Sequence, residues 1–382
     1  MPGLQHRILM IAGEASGDLL GAHLAKAIQA LHPNIALLGM GGYHMRHAGV
    51  EIMIDADPLA VTGIWEILKH IGAIFSAMRT LKKLFKIDPP NLVIFIDYPG
   101  FNLHLAKFAK KTGVKVLYYV SPQIWAWRYG RIKTIKKYID CMAVLFAFEE
   151  KLYQKENMPV HFVGHPIVDI AIPTLAPHLA YQHFHLNPNQ PIIALLPGSR
   201  RNEISALMPI MMTAVRCIQK KIANAQFVLP LASSITLEDI QPYLMPEIQV
   251  IENNTYNLLP LCHAAITASG TATLEIALHN VPMVIIYKIA ALSYWLGTQL
   301  IRVPFIGLCN LVAEEQVAKE LIQKDATAHT IANEIIRLLQ ETVYRQSICN
   351  KLSRVKEKLG GGGGSHKAAK IALDMLNGQH PR

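Results

Sequence analysis

Asp97 ends the most continuous apolar segment in the first half of the chain, Asn91 to Asp97. Such a segment is typical of a buried strand in a parallel sheet, and ligands of such sheets bind at the carboxyl ends of the strands. A carboxylate in that position is suited to accept a proton from a substrate hydroxyl. Asp97 is therefore a candidate general base, and a helix-capping or turn acid is an equally open alternative.

A glycine-containing turn, Gly13 to Asp18, follows an earlier apolar segment and opens a helical pattern. Glycines let a backbone approach a ligand closely, and a helix N-terminus favours anions. The turn does not have the spacing G-x-G-x-x-G, and its acids Glu14 and Asp18 would repel a pyrophosphate. The sequence therefore argues against a dinucleotide site, while a tight turn with a capping acid remains the alternative.

Two turns in the second half have the composition of anion sites. Gly198-Ser199-Arg200 places an arginine at the start of a helical pattern, and Ser269 to Glu275 supplies small hydroxyl residues followed by an acid. A guanidinium beside backbone N–H groups suits a diphosphate, and the acid is suited to ribose hydroxyls. An exposed arginine and a capping acid are the alternatives. Two such turns in one sheet favour binding more than either turn alone.

Apolar segments alternate with helical patterns along both halves of the chain, which predicts an α/β fold. The strands are predicted at Arg7–Ala12, Ile35–Gly39, Asn91–Asp97, Val114–Val120, Ile192–Leu196, Gln226–Leu231, Ile248–Ile251, Ala264–Ala268 and Met283–Tyr287. We therefore expect two tandem Rossmann-like, doubly wound parallel sheets with a cleft between them.

Three segments follow from this division. Residues 1–168 form the N-terminal domain and residues 169–350 the C-terminal domain. Residues 351–382 form terminal helices around a hinge of five glycines, Gly360 to Gly364. Because glycine runs are flexible, we expect the last helix to cross to the first domain or to a partner chain, and a homodimer stays open.

The composition limits the classes of function. The net charge is +10, of which +7 lies in residues 1–168, so anionic partners are expected. Five scattered cysteines without a C-x-x-C pair indicate neither a disulfide framework nor a thiolate metal site, and they fit a reducing cytoplasm. Asp55-Ala56-Asp57 matches the D-x-D of metal-dependent sugar transferases, but we expect it in a proline-flanked loop that follows no strong apolar strand. The late apolar stretch Ile289–Ile301 is shorter than the roughly 20 residues that a membrane-spanning helix needs.

Residues 64–86 predict a basic amphipathic helix. Its apolar positions recur at helical spacing, while lysines and arginines lie largely elsewhere. Such a helix can lie on an anionic bilayer, although an apolar stripe usually packs on its own core. The candidates for membrane contact are Ile64, Phe75, Met78, Arg79, Lys82 and Lys83.

A second basic cluster, Trp125 to Lys137, combines two tryptophans with arginines and lysines. Base stacking on RNA is conceivable for such a cluster, but no recognised nucleic-acid module surrounds it. Core tryptophans beside a solvated basic face are the favoured interpretation.

Eight motifs, in order along nearly the whole chain, resemble the lipid-A-disaccharide synthases, a GT-B family of glycosyltransferases. The most specific is the ten-residue stretch Tyr119 to Arg128, Y-V-S-P-Q-I-W-A-W-R. The others are Gly13–Asp18, Leu59–Gly63, Ile96–Asn102, Phe162–Pro166, Leu196–Arg200, Ser269–Glu275 and Asn310–Ala313.

The resemblance implies an inverting transfer of 2,3-diacylglucosamine from UDP-2,3-diacylglucosamine to 2,3-diacylglucosamine 1-phosphate. The products would be UDP and a β(1→6)-linked lipid A disaccharide 1-phosphate. It further implies Asp97, with an ordinary pKa, as the base, and no metal or other cofactor. Membrane association at the inner face of the cytoplasmic membrane is implied as well, without a nucleic-acid partner.

The resemblance also assigns binding residues to the two halves. UDP and the donor sugar would contact Gly198, Ser199, Arg200, Ser269, Gly270, Thr271, Ala272, Thr273, Glu275 and Asn310. Arg200 would neutralise the diphosphate and Glu275 would hold the ribose. The acceptor side would include Glu14, Ser16, Asp18, Asn102, Ser121, Trp127 and His165.

Four residues depart from the family pattern, Thr62, Gly100, Ala147 and Gln316. None of them removes Asp97, Arg200 or Glu275. Two rival functions stay open. One is another GT-B enzyme acting on a UDP-sugar, such as an epimerase or a transferase with a soluble acceptor. The other is a basic RNA-binding protein, which would leave the two anion turns unexplained.

Overall fold

Every strand pairing is parallel among residues 6–56, 64–289 and 303–379, which the computed structural model describes. Two compact units divide the chain. The first comprises Met1–Pro166 and Gly360–Arg382, and the second comprises Ile167–Leu359. The predicted α/β class with two Rossmann-like parallel sheets is confirmed.

The strands of the first unit are β1 Arg7–Ala12, β2 Ala36–Gly41, β3 Glu51–Asp55, β4 Leu92–Ile96, β5 Lys115–Tyr119, β6 Cys141–Val144 and β7 Val160–Phe162. They lie in the order β3-β2-β1-β4-β5-β6-β7, so the direction of winding reverses between β1 and β4. The helices are Ala15–Leu31, Tyr43–His47, Ile64–Ile87, Pro99–Lys111, Ile132–Tyr138, Ala147–Lys155 and Gly364–Leu376, with a short 3-10 turn at Tyr129–Arg131.

The central strands of this sheet are buried on both faces, which is why their sequences are continuously apolar. Val93 and Phe95 of β4 pack in one core with Leu81 and Phe85 of the helix Ile64–Ile87. The final helix Gly364–Leu376 packs on the helix Ala15–Leu31 and on β4 and β5. The carboxyl end of the chain thus completes the first unit.

The strands of the second unit are β8 Ile192–Leu196, β9 Gln226–Leu231, β10 Ile248–Glu252, β11 Ala264–Ala268, β12 Met283–Tyr287 and β13 Lys319–Ile322. Their order is β10-β9-β8-β11-β12-β13, with the reversal between β8 and β11. The helices are Ile167–Ile170, Pro177–His183, Arg201–Gln219, Leu237–Ile240, Thr255–Leu258, Ala272–Leu278, Leu308–Ala313, Ala328–Gln340 and Thr342–Lys358. Short 3-10 turns lie at Gln241–Tyr243, Leu259–Leu261 and Gln323–Asp325.

The structure differs from the sequence-based expectation in its short elements and unit limits. The sequence did not predict the strands β3, β6, β7 and β13. β6, β7 and β13 have only three or four residues, and β3 alternates between exposed and half-buried residues instead of being continuously apolar. The predicted division at residue 350 falls inside the helix Thr342–Lys358, so the second unit continues to Leu359. The predicted division at 168 likewise falls inside the helix Ile167–Ile170.

Within the described part of the chain, no helix combines the length and the hydrophobicity that a bilayer crossing requires. Apart from Ile289, the apolar stretch to Ile301 lies outside the described residues, as do the motif Leu59–Gly63 and its departure at Thr62.

Candidate functional site

The turns after β1 and β4 lie side by side, because these two strands are neighbours and Ala12 pairs with Ile96. The ring of Tyr98 occupies the space beside Gly13, where a Cβ atom would lie 2.2 Å from a ring carbon. Glycine at position 13 therefore permits this close approach. Asp97 and Glu14 are brought to the same edge of the sheet, at the point where the winding reverses.

Asp97 has a constrained backbone. Asp97 and Tyr98 both have a φ of +47°, a left-handed conformation that residues other than glycine adopt at a cost. Hydrogen bonds hold it: the N–H of Asp97 donates to the carbonyl of Tyr119 at 3.1 Å. Its own carbonyl accepts from Tyr118 Oη at 2.6 Å and from Asn102 Nδ2 at 2.7 Å. Asn102, predicted to contact the acceptor substrate, is fully buried, and its side-chain amide supports the backbone of Asp97.

The pKa of Asp97 is raised to about 6, first because burial disfavours its ion and second because Glu14 adds a negative charge. The N–H of Tyr98 opposes these effects by hydrogen bonding. The expectation of an ordinary aspartate pKa is therefore wrong. A carboxylate with this pKa is still mostly ionised at neutral pH, and it is a stronger base than an exposed aspartate.

The other predicted site residues of the turn after β1 fall into two groups. Glu14 and Ser16 are exposed at the start of the helix Ala15–Leu31. Asp18 is buried, and its two carboxylate oxygens accept three backbone N–H groups, those of Gly42, His44 and Met45, at 2.7 to 3.1 Å. Asp18 thus joins the turns after β1 and β2, which is a structural role, and its contact with an acceptor stays a prediction.

A buried polar network follows β5 and β6. Ser121 Oγ lies 2.8 Å from Tyr153 Oη, and Trp125 Nε1 donates to Glu149 Oε1 at 3.0 Å. Burial raises the pKa of Glu149 to about 8, against hydrogen bonds from Trp125 and others that lower it. The sequence did not single out Glu149, although an acid in the first turn of the helix Ala147–Lys155 was the available signal. This network fixes the segment after β5, and the predicted acceptor residue Ser121 is enclosed within it.

Trp127 and His165 lie on segments after β5 and β7. Trp127 is 40% exposed, with Arg128 beside its ring. The ring of His165 lies 5.3 Å from that of Phe146, and burial lowers its pKa to about 4. His165 is therefore neutral at physiological pH.

The helix Ile64–Ile87 places only part of its apolar stripe on the core. Ala77, Leu81 and Phe85 are buried, and Met78 is partly buried against them. Phe75 is 69% exposed and lines a groove of about 710 Å³. The groove also contains the remaining described candidates, Met78, Arg79, Lys82 and Lys83. The side chain of Ile64 lies outside the described residues.

The second unit contains a cavity of about 740 Å³ at the carboxyl ends of β8, β9, β10 and β11. This volume is in the range of small-molecule sites. Eight of the ten predicted donor residues line it, namely Gly198, Ser199, Arg200, Ser269, Gly270, Thr271, Ala272 and Glu275. Residues that the sequence did not indicate also line it, including Ser233, Asn254, Thr255 and Tyr256.

The first glycine turn of this cavity is closed by Glu203. Gly198 has a φ of +113°, and a Cβ there would lie 2.3 Å from Glu203 Oε2. The same oxygen accepts the N–H of Ser199 at 3.0 Å, so this N–H is already occupied. Arg200 reaches Glu203 only at 3.5 Å, and its side chain is 68% exposed. The guanidinium is therefore the available anion-binding group of this turn.

The second turn provides open backbone and an acid. Gly270 has a φ of +152°, with empty space where a Cβ would stand. Glu275 accepts a hydrogen bond from Tyr256 Oη at 3.3 Å, and burial raises its pKa. A carboxylate and a phenol at one end of the cavity can together bind vicinal hydroxyls.

Thr273 and Asn310 do not line the cavity. Thr273 Oγ1 is bonded to the carbonyl of Gly270 and the N–H of Cys309. The amide of Asn310 donates to Ala318 and Glu320 and accepts the N–H groups of Val317 and Ala318, at 2.7 to 2.8 Å. Its hydrogen-bonding capacity is used, so Asn310 joins the helix Leu308–Ala313 to β13. Both side chains therefore have structural hydrogen bonds, and a direct nucleotide contact by either one stays a prediction.

The D-x-D sequence ends a strand rather than lying wholly in a loop, because Asp55 is the last residue of β3 and pairs with Arg46 at 3.2 Å. Asp57 lies outside the described residues. Among those described, no three histidine, cysteine or acidic residues cluster as metal ligands would.

Comparison with known proteins gives consistent matches. The family model for lipid-A-disaccharide synthetase matches residues 8–372. The lipid-A-disaccharide synthase of Coxiella burnetii (strain Dugway 5J108-111) is 58% identical over 369 residues, covering 97% of this chain and 98% of the relative.

Two solved structures share the fold at low identity. A putative UDP-N-acetylglucosamine 2-epimerase from Listeria monocytogenes has a TM-score of 0.67 at 13% identity, covering 99% of both chains. The calicheamicin glycosyltransferase CalG4 has a TM-score of 0.61 at 12% identity, covering 98% of this chain and 99% of the other. These likenesses show the fold alone, which is that of GT-B glycosyltransferases and related epimerases.

Proposed function

Since the chain belongs to the lipid-A-disaccharide synthase family, and is therefore a glycosyltransferase, we propose that it transfers 2,3-diacylglucosamine from UDP-2,3-diacylglucosamine to 2,3-diacylglucosamine 1-phosphate. The products are UDP and the β(1→6)-linked disaccharide 1-phosphate. The observation that carries the proposal is the cavity of the second unit, which combines an exposed arginine, an open glycine turn and a buried acid.

The cavity supports binding of the UDP part of the donor. Arg200 neutralises the diphosphate, since its guanidinium has only a weak contact with Glu203. The open turn at Gly270 lets the backbone approach the phosphates. Glu275 and Tyr256 bind the ribose hydroxyls at the other end. In this assignment Arg200 supplies the positive charge that favours departure of UDP.

Asp97 of the first unit serves as the base of a single displacement. The 6-hydroxyl oxygen of the acceptor bonds to the anomeric carbon of the donor sugar as the bond to UDP breaks. The proton of that hydroxyl passes to Asp97, the bonding pair leaves with UDP, and the anomeric configuration inverts. The rigid backbone of Asp97 favours this role, because a base must be held within hydrogen-bonding distance of its proton.

The groove beside Phe75 supports peripheral contact with an anionic membrane, from which two acylated substrates would be drawn. An exposed aromatic side chain among Arg79, Lys83 and Lys86 is suited to the interface of acidic lipids.

Replacing Phe75 with serine should weaken cosedimentation with phosphatidylglycerol vesicles. Val343→Ser is the matched control, since Val343 is 86% exposed in the second unit. Equal binding by both variants would refute the membrane assignment.

UDP release tests the proposed reaction. Purified protein is given both acylated substrates in detergent micelles with EDTA, beside the variants Asp97→Asn and Asp55→Asn. We expect release to survive EDTA, to fall about 100- to 10,000-fold in Asp97→Asn, and to persist in Asp55→Asn, an acid at the end of an edge strand.

The other outcomes each remove part of the proposal. No release by the folded wild-type protein at any acyl length would refute the synthase reaction. Near-normal release by Asp97→Asn would refute the base alone. Turnover of UDP-N-acetylglucosamine without detergent would favour an enzyme with a soluble substrate.

A further inference from the structure

Two arginines surround Trp127 in the segment that follows β5. The Cζ atom of Arg128 lies 4.5 Å from the centre of the Trp127 ring, and that of Arg131 lies 5.6 Å from it. The N–H of Arg131 donates to the carbonyl of Arg128 at 2.9 Å, which closes the turn between them. We call this arrangement of Trp127, Arg128 and Arg131 the arginine pair.

No carboxylate among the described residues neutralises the positive charge of the arginine pair. Across the described ranges, neither guanidinium forms an ion pair within 4.0 Å. The nearby acid Glu156 accepts the hydroxyl of Tyr129 at 2.8 Å. Burial lowers the pKa of Arg131, and the charge of Arg128 lowers it further. Two like charges held together without a carboxylate favour an anionic ligand.

The geometry of the turn is suited to such a ligand. A guanidinium over an aromatic ring keeps its N–H groups available at the edge, where they match the oxygens of a phosphate. Arg128 has a φ of +57°, a strained conformation that is frequent at binding sites. A hydrogen bond from Trp125 Nε1 to the buried Glu149 fixes the position of this segment. The arginine pair is thus presented on a fixed support.

The arginine pair and Asp97 lie at the same edge of the same sheet. β4 and β5 are neighbours, and Tyr118 Oη donates to the carbonyl of Asp97. Burial raises the pKa of Tyr118, and the charge of Arg131 is close enough to oppose this. A substrate that offers its hydroxyl to Asp97 therefore has the arginines in its vicinity.

We propose that Arg128 and Arg131, supported by Trp127, bind the phosphomonoester of the acceptor. This inference rests on the proposed function, because it gives a place to the one group by which a phosphorylated acceptor differs from its dephosphorylated form. It also accounts for the basic and aromatic cluster without a nucleic acid. The arginine pair would fix the orientation of the acceptor, and Asp97 would act on its hydroxyl.

The experiment compares two acceptors in two variants. Water-soluble short-chain 2,3-diacylglucosamine is prepared with and without its 1-phosphate, and UDP release is measured with wild type, Arg128→Gln and the control Lys133→Gln. Arg128 and Lys133 are both exposed, so neither change should disturb folding. We expect Arg128→Gln to raise the KM for the phosphorylated acceptor about 10- to 100-fold, the loss typical of a charged hydrogen bond. Its activity on the dephosphorylated acceptor and its Kd for UDP should equal those of wild type.

Each alternative outcome overturns the inference. An equal change on both acceptors, or no change on either, would exclude a contact with the phosphate. A defect that appears only with phosphatidylglycerol vesicles and long-chain substrates would assign the arginine pair to lipid headgroups. Calorimetric titration of the phosphorylated acceptor into wild type and Arg128→Gln gives the same comparison without turnover. Failure of the synthase reaction itself would instead appear as absent UDP release by wild type.

Discussion

The pH dependence of UDP release follows from the burial of Asp97. With a pKa of about 6, Asp97 should lose its proton-accepting form as the pH falls through 6. About 90% of a group with this pKa is ionised at pH 7 and about 10% at pH 5. Since kcat/KM reports the ionisation of the unbound enzyme, it should fall about tenfold between these values. An aspartate with an ordinary pKa would remain about 90% ionised at pH 5.

The acceptor phosphate complicates this profile, because the second pKa of a phosphomonoester is also about 6. The variant Glu14→Gln separates the two groups. Glu14 is the second cause of the raised pKa of Asp97. If Asp97 is the titrating group, removing the charge of Glu14 should move the acidic decrease in kcat/KM to lower pH. If the substrate phosphate is the titrating group, the decrease should occur at the same pH as in wild type.

The assay is UDP release at subsaturating acceptor from pH 4.5 to 8.5, with the dephosphorylated acceptor as a second control. Ser16→Ala is the matched variant, since Ser16 is exposed on the same turn and carries no charge. A flat profile from pH 5 to 8 in wild type would refute the assignment of Asp97. The assignment would also be refuted if the acidic decrease in kcat/KM kept its pH in Glu14→Gln and disappeared with the dephosphorylated acceptor.

The other predictions concern binding and stability. Arg200→Ala should weaken UDP binding about 10- to 100-fold by calorimetry, with an unchanged melting temperature because the side chain is 68% exposed. The free energy of unfolding of Asp97→Asn, measured by chemical unfolding, should rise relative to that of wild type by up to roughly 3 kcal/mol between pH 4 and pH 6. The raised pKa of Asp97 stabilises folded wild type below pH 4, and wild type loses this contribution above pH 6, whereas asparagine does not titrate. Gly198→Ala should destabilise the protein by roughly 1–3 kcal/mol, since its Cβ would meet Glu203 at a φ of +113°. Asn310→Ala should lower the melting temperature, costing roughly 2–4 kcal/mol, and its remaining activity should follow the folded fraction. Unchanged UDP affinity in Arg200→Ala would contradict its role in binding. Unfolding identical to that of wild type in Asp97→Asn, Gly198→Ala or Asn310→Ala would contradict the role given to that residue.

The sequence by itself determined the two parallel sheets and the carboxyl edges at which the candidate site residues lie. Strands that are buried on both faces must be apolar throughout, and this requirement is visible in any five-residue window such as Leu92–Ile96. The same pattern shows where each strand ends, so it located Asp97, Gly198-Ser199-Arg200 and Glu275 at the carboxyl edges. The short edge strand Glu51–Asp55 alternates between exposed and half-buried residues, and it was missed because it is buried on one side only.

The tertiary structure decided which polar residues remain available to a ligand. Asp18 accepts N–H groups 24 to 27 residues away, and Tyr118 of β5 bonds to Asp97 at the end of the neighbouring strand β4, so a local pattern contains neither contact. Asn310 appeared equivalent to Arg200 as a binding residue, yet its amide is buried and saturated while the guanidinium is exposed. The pKa of Asp97 was likewise invisible, because it depends on burial and on Glu14, which another strand brings near. Hydrogen-bond saturation and desolvation arise from partners distant in the chain, and only folding brings those partners together.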